Sequence, residues 1–151
     1  MDAKNENGYD GTNVGNSKKL QEMVGVLLDS GADVNYENKK GNTALIYASI
    51  CGHTEVVKLL LYYGADTERR EQKIGVTALS IAAAKGYAEI VDLLLENGAD
   101  TKVGKLDIAL NYAQRKGNKD VVMIVKKHTA YSGSAPLVIT RSVTELIHST
   151  I

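Results

Sequence analysis

At 151 residues the chain is long enough for one domain with a sizeable core. Lysine plus arginine balances aspartate plus glutamate at 18 each, so net charge gives no drive toward nucleic acid or a membrane surface. One cysteine, Cys51, excludes an intrachain disulfide, and the absence of Trp and Phe leaves Leu, Ile, Val, Ala and eight Tyr to fill the interior. The first twenty residues hold no apolar run of the kind a secretory signal needs. No stretch approaches the ~20 apolar residues that span a bilayer. A soluble protein of the cytoplasm or nucleus is expected.

Residues 1–16 are rich in Asn and Gly, both poor in helix interiors, and read as a degenerate or disordered lead-in. A helix is predicted from Ser17 as N-cap, with Met23, Val24, Leu27 and Leu28 on its apolar face and Gly31 as its left-handed stop. Beyond it one pattern is spelled twice. Gly41-Asn42-Thr43-Ala44-Leu45 returns as Gly75-Val76-Thr77-Ala78-Leu79, and Gly52-His53-Thr54-Glu55-Val56-Val57 as Gly86-Tyr87-Ala88-Glu89-Ile90-Val91. Leu59-Leu60-Leu61 and Gly64-Ala65-Asp66 return as Leu93-Leu94-Leu95 and Gly98-Ala99-Asp100, each 34 positions on. A worn third copy follows at Asp107-Ile108-Ala109-Leu110, Ala113, Gly117 and Asp120-Val121-Val122. There Lys126 and Lys127 replace the expected leucine and its neighbour, giving the polar outer edge that a terminal repeat needs. After His128 the pattern stops, and residues 130–136 read as a loop. Ser142-Val143-Thr144-Glu145 then has capping-box spacing, with Val143, Leu146 and Ile147 on one helical face. A short C-terminal helix docked on the final repeat is expected.

A fixed period near 33 with this punctuation marks a stack of helix-turn-helix units. The pattern closely resembles the ankyrin repeat over about residues 20–128. The resemblance implies an all-α solenoid of antiparallel helix pairs with projecting β-turn fingers, here three repeats and an N-terminal half repeat. The organisation expected is a lead-in (1–16), a repeat domain (17–128) and a C-terminal tail (129–151). Within each repeat, Ala44, Leu45 and Ala48 are expected to face the stack, and Val56, Val57, Leu59, Leu60 and Leu61 to bury. The family's proline and histidine after the helix-opening threonine are absent, since 43–46 reads Thr-Ala-Leu-Ile and 77–80 Thr-Ala-Leu-Ser. A helix-start proline and a buried hydrogen bond are therefore lost, and marginal stability follows.

Catalysis finds no support in the sequence. His53, His128 and His148 sit at no metal-ligand spacing, Cys51 has no zinc-finger partner, and nucleotide-binding and hydrolase motifs are missing. No cofactor is expected. The local charge signal lies in the fingers, where Lys39, Lys40, Arg69, Arg70, Lys73, Lys102 and Lys105 outnumber Glu37, Glu68 and Glu71. By resemblance, finger tips and first helices form a concave binding surface, lined by Asn42, Ile50, Cys51, Ala84 and Lys85 with Ile74 and Val76 at a finger base. The function so implied is non-enzymatic binding of another protein bearing an acidic patch, by a monomer, with neither nucleic acid nor membrane as partner. The alternative is a short regulatory protein acting through its tail, because His148-Ser149-Thr150-Ile151 resembles a PDZ-domain ligand. Asn35, eight residues after Leu27 and following Asp33-Val34, also resembles the asparagine hydroxylated in many animal ankyrin repeats.

Overall fold

The computed structural model describes residues 11–131, residue 103 excepted. These residues form seven helices, α1 (Gly11–Asp29), α2 (Ala44–Cys51), α3 (Thr54–Tyr62), α4 (Ala78–Lys85), α5 (Ala88–Glu96), α6 (Leu106–Arg115) and α7 (Lys119–Tyr131). Among the described residues the β-structure is one isolated antiparallel bridge, Arg70 to Thr77, in a finger. The chain is an all-α repeat solenoid.

The short helices start and stop by local chemistry. The Thr43 hydroxyl accepts the Ile46 N–H at 3.3 Å to open α2, and Thr77 with Ser80 forms a reciprocal capping box at α4. Each satisfies a backbone donor that a helix start leaves orphaned. Gly52 (φ +75°) and Gly86 (φ +79°) close α2 and α4 in the left-handed region and turn the chain into α3 and α5.

Packing sorts the helices into two rows. α2, α4 and α6 lie side by side in an inner row, while α1, α3, α5 and α7 form an outer row. The core runs between the rows: Leu45, Val57, Leu60, Leu79, Ala82, Ala83, Ile90, Val91, Leu94, Ala113 and Val121 are each 2% exposed or less. Small residues at 48, 82, 83, 109 and 113 let the inner helices approach closely. As in any solenoid, each unit buries its apolar face only against its neighbours.

Several expectations are corrected. The first helix begins at Gly11, not Ser17, and takes in residues 11–16 of the expected lead-in. The turn glycines Gly52 and Gly86 correspond to Lys19, so the chain has no cheap left-handed turn there. Extending an existing helix by one residue costs less than nucleating a second one, despite poor Gly and Asn propensities. The inner helix of the first repeat is consequently missing among the described residues. For that reason Met23 and Leu27, expected on a buried face, are 57% and 58% exposed. Ala44, expected to face the stack, is exposed as well, whereas Ala78 in the next repeat is 1% exposed beneath α2. Leu59 and Leu61 pack at the core edge, only partly buried. At the other end α7 continues to Tyr131, beyond His128, with the Thr129 hydroxyl hydrogen-bonded to the Val125 carbonyl. The proposed helix at 142–147 and the PDZ-ligand-like ending lie outside the described residues, as do residues 1–10.

Candidate protein-binding groove

The fingers are held to one another as well as to their own helices. In each Gly-Ala-Asp ending the aspartate folds the next turn: Asp33, Asp66 and Asp100 accept the backbone N–H of Asn35, Glu68 and Lys102 at 2.8–2.9 Å. Asn35 then accepts the Asp66 N–H at 2.7 Å, and Glu68 accepts the Asp100 N–H at 3.0 Å. Asn35 and Glu68 are thus equivalent rivets between successive repeats, although one is an amide and the other an acid. The Gln72 N–H donates to the Lys40 carbonyl at 2.9 Å and joins the two finger tips. Asn38 folds the first finger by accepting the N–H groups of Lys40 and Asn42. Glu71 folds the second by accepting those of Lys73 and Ile74, and these bonds hold its carboxyl below the usual carboxylate range.

A concave groove of about 600 Å³ runs across the inner row at the base of these fingers. Its walls are Ile46 and Ile50 from α2, Ile81 and Ala84 from α4, and Ile108, Ala109 and Tyr112 from α6, with Ile74 and Val76 contributed by the second finger. Asn42, Glu71, Ser80, Lys85 and Lys105 supply its polar atoms. Ile74, Ile108 and Tyr112 are 57%, 63% and 43% exposed, an unusual amount of large apolar side chain to leave facing water in one place.

Of the residues singled out in the sequence, the groove brings together Asn42, Ile50, Ile74, Val76, Ala84, Lys85 and Lys105. Lys39, Lys40, Cys51, Arg69, Arg70, Lys73 and Lys102 are outside its lining. Cys51 is exposed and does not line the groove. Arg69 is committed to structure: it is ion-paired with Glu37 of the preceding finger and, at 3.1 Å, with Asp66 of its own. The Glu68 backbone N–H and then the Arg69 guanidinium hold the Asp66 carboxyl below its ordinary pKa. Lys85 and Lys105, by contrast, are in no ion pair among the described residues.

Lys105 is positioned by strain. The last finger is about three residues short, and the chain enters α6 through Gly104 (φ +71°) and Lys105 (φ +64°), the described non-glycine residue with positive φ. Such a conformation costs roughly 1–2 kcal/mol for an L-residue. Seven groove residues, Ile46, Glu71, Ser80, Ile81, Ile108, Ala109 and Tyr112, were missed in the sequence. A signal for three of them existed: Ile46 and Ile108 precede Ile50 and Tyr112 by four residues, one helical turn along the same face.

The architecture defines a helical-repeat solenoid with an apolar groove across its inner row. The ankyrin-repeat family model, with three copies, matches residues 14–105, and the chain belongs to that family. Ankyrin repeats generally mediate protein–protein interaction and are typically non-catalytic. The chain is 46% identical over 55 residues to the E3 ubiquitin-protein ligase XBAT33 of Arabidopsis thaliana, covering 36% of this chain and 11% of that one. It is 48% identical over 50 residues to an ankyrin repeat protein of Acanthamoeba polyphaga mimivirus, covering 33% and 31%. It is 40% identical over 53 residues to Notch-regulated ankyrin repeat-containing protein B of Danio rerio, covering 35% and 48%. The matched stretch spans less than half the length of each of these relatives.

Proposed function

We propose that the chain is a non-enzymatic interaction module whose inner-row groove grips an apolar segment of a partner protein. Ile46, Ile50, Ile81, Ile108 and Tyr112 make the contact floor, Ile74 closes it from the finger side, and Lys85 with Lys105 draws in an acidic rim. The observation that carries this reading is the continuous apolar wall across three inner helices. Apolar groups at the centre of an interface hold a complex, while rim charges act mainly on encounter. The basic character expected in the fingers shifts in this reading from Arg69 to Lys85 and Lys105, because Arg69 already spends its guanidinium on Glu37 and Asp66.

The test places a photo-crosslinking side chain at Ile74, in the groove, or at Met123 on the outer helix α7. The expected result is a discrete adduct from position 74 that disappears when Ile81→Glu is added, and none from position 123. Adducts from position 123 alone, or adducts at 74 indifferent to Ile81→Glu, would overturn the groove assignment.

A further inference from the structure

The two ends of the solenoid are built differently. At the last repeat both rows end together, and Asn111 and Gln114 stand exposed where Ser80 and Ala83 of the preceding repeat are buried. That end is polar. At the first repeat the outer row is one helix longer than the inner row, because α1 has no inner partner among the described residues. The result is a step walled by α1 and α2.

The residues on its walls are those that later repeats bury. Met23 is 57% exposed, against 6% and 1% for its equivalents Val56 and Ile90. Leu27 is 58% exposed, against 1% and 0% for Leu60 and Leu94. On the α2 side Ala44 and Tyr47 are exposed, with a concavity of about 440 Å³ formed by Ala32, Val34, Tyr36 and their neighbours. The vacant place is that of one inner helix of eight to ten residues, the length of α2, α4 and α6.

Residues 1–10 offer Met1, Ala3 and Tyr9 among Asn, Gly and charged residues, too few apolar groups for a helix packed on two sides. Residues 142–151 do offer them: Ser142 and Glu145 stand at capping-box spacing, and Val143, Leu146, Ile147 and Ile151 fall on one helical face. Ten residues, 132–141, separate this segment from the end of α7 and reach about 33 Å when extended. From α7 to α1 is three steps along the outer row, or about 24–30 Å at the usual 8–10 Å between packed helices.

We propose that residues 142–151 return along the solenoid and dock in this step as the missing inner helix of the first repeat. The apolar seat at the first repeat, and the polar surface at the last, direct the segment away from the nearer end. The docked segment covers Met23, Leu27, Ala44 and Tyr47 and gives the inner row its fourth member.

The test is a disulfide trap in the full chain with Cys51→Ser. Tyr47→Cys combined with Leu146→Cys is expected to form an intramolecular bridge under mild oxidation, and Gln114→Cys combined with Leu146→Cys is not. A bridge to position 114 and none to 47, no bridge at either site, or a disulfide-linked dimer would each overturn the proposal. Hydrogen exchange gives a second readout without cysteines. Leu146→Asp with Ile147→Asp should speed exchange of α1 and α2 amides about ten-fold and leave α6 and α7 unchanged; unchanged exchange in α1 and α2 counts equally against it.

Discussion

Three residues show how narrowly positions in this stack are specified. Ser49 is fully buried with its hydroxyl unpartnered, and its equivalent one repeat later is Ala83, also fully buried. An unsatisfied buried hydroxyl costs about 1–3 kcal/mol. Ser49→Ala is therefore expected to stabilise the protein by about 1 kcal/mol, read as a higher urea midpoint with an unchanged denaturant slope. Gly98 and Gly104 make a matched pair. Both have positive φ, but a Cβ at Gly98 meets open space while one at Gly104 lands 2.5 Å from the Thr77 side chain, which caps α4. Gly98→Ala should cost about 1 kcal/mol, from backbone strain alone. Gly104→Ala should cost about 2–3 kcal/mol, since it adds a clash with a helix cap to the same strain. Equal midpoints for the two variants would show that the Thr77 contact carries no energy.

At the scale of an element, the fingers behave as a hydrogen-bonded ladder with carboxylates as its rungs. Asp66 accepts the Glu68 N–H and pairs with Arg69, and Glu71 accepts two backbone N–H groups, so both titrate below their ordinary values. A carboxylate whose folded pKa is depressed stabilises the fold above its unfolded pKa, near 4, and this contribution disappears as pH falls through the folded value. Denaturant midpoints should thus be nearly flat from neutrality to about pH 5 and decline below about pH 4. Asp66→Asn should lower the neutral midpoint and shallow the acid decline; an acid limb of unchanged steepness would remove Asp66 from the account. The ion pairs of Arg69 are more than a third exposed on either side, so solvent screens most of the Coulomb attraction there.

Over the whole molecule, the proposed binding groove and the outer row differ in how their lysines are paired. Lys85 and Lys105 stand at the groove free of described ion pairs, while Lys58 on the outer row already bridges Glu55 and Glu89 at 3.1 and 3.6 Å. Lys85→Glu with Lys105→Glu should slow partner association by about ten-fold at low salt and flatten its dependence on ionic strength. Ile81→Ala should instead speed dissociation, and Lys58→Glu should do neither. Surface-based kinetics on each variant at two salt concentrations is the measurement. A loss of binding confined to Lys58→Glu would move the interface to the outer row.

What the sequence alone determined is local and periodic: the repeat register, the threonine caps, the turn glycines and the buried leucines follow from spacing, because each depends on neighbours within one repeat. By resemblance to the ankyrin repeat it also singled out Asn42, Ile50, Ile74, Val76, Ala84, Lys85 and Lys105, which line the groove. Tertiary structure decided what depends on which neighbour is present. Met23, Leu27 and Ala44 carry the pattern of core residues yet are exposed, because Lys19 stands in the place of a turn glycine and the first inner helix does not form. Arg69 reads as a free cation until Glu37 and Asp66 are seen against it, across 32 residues of chain and within one turn. Ile108 and Tyr112 become part of the groove only when α6 is laid beside α4. Burial and charge pairing are properties of the stack, since a solenoid gives each repeat its environment through the repeats on either side.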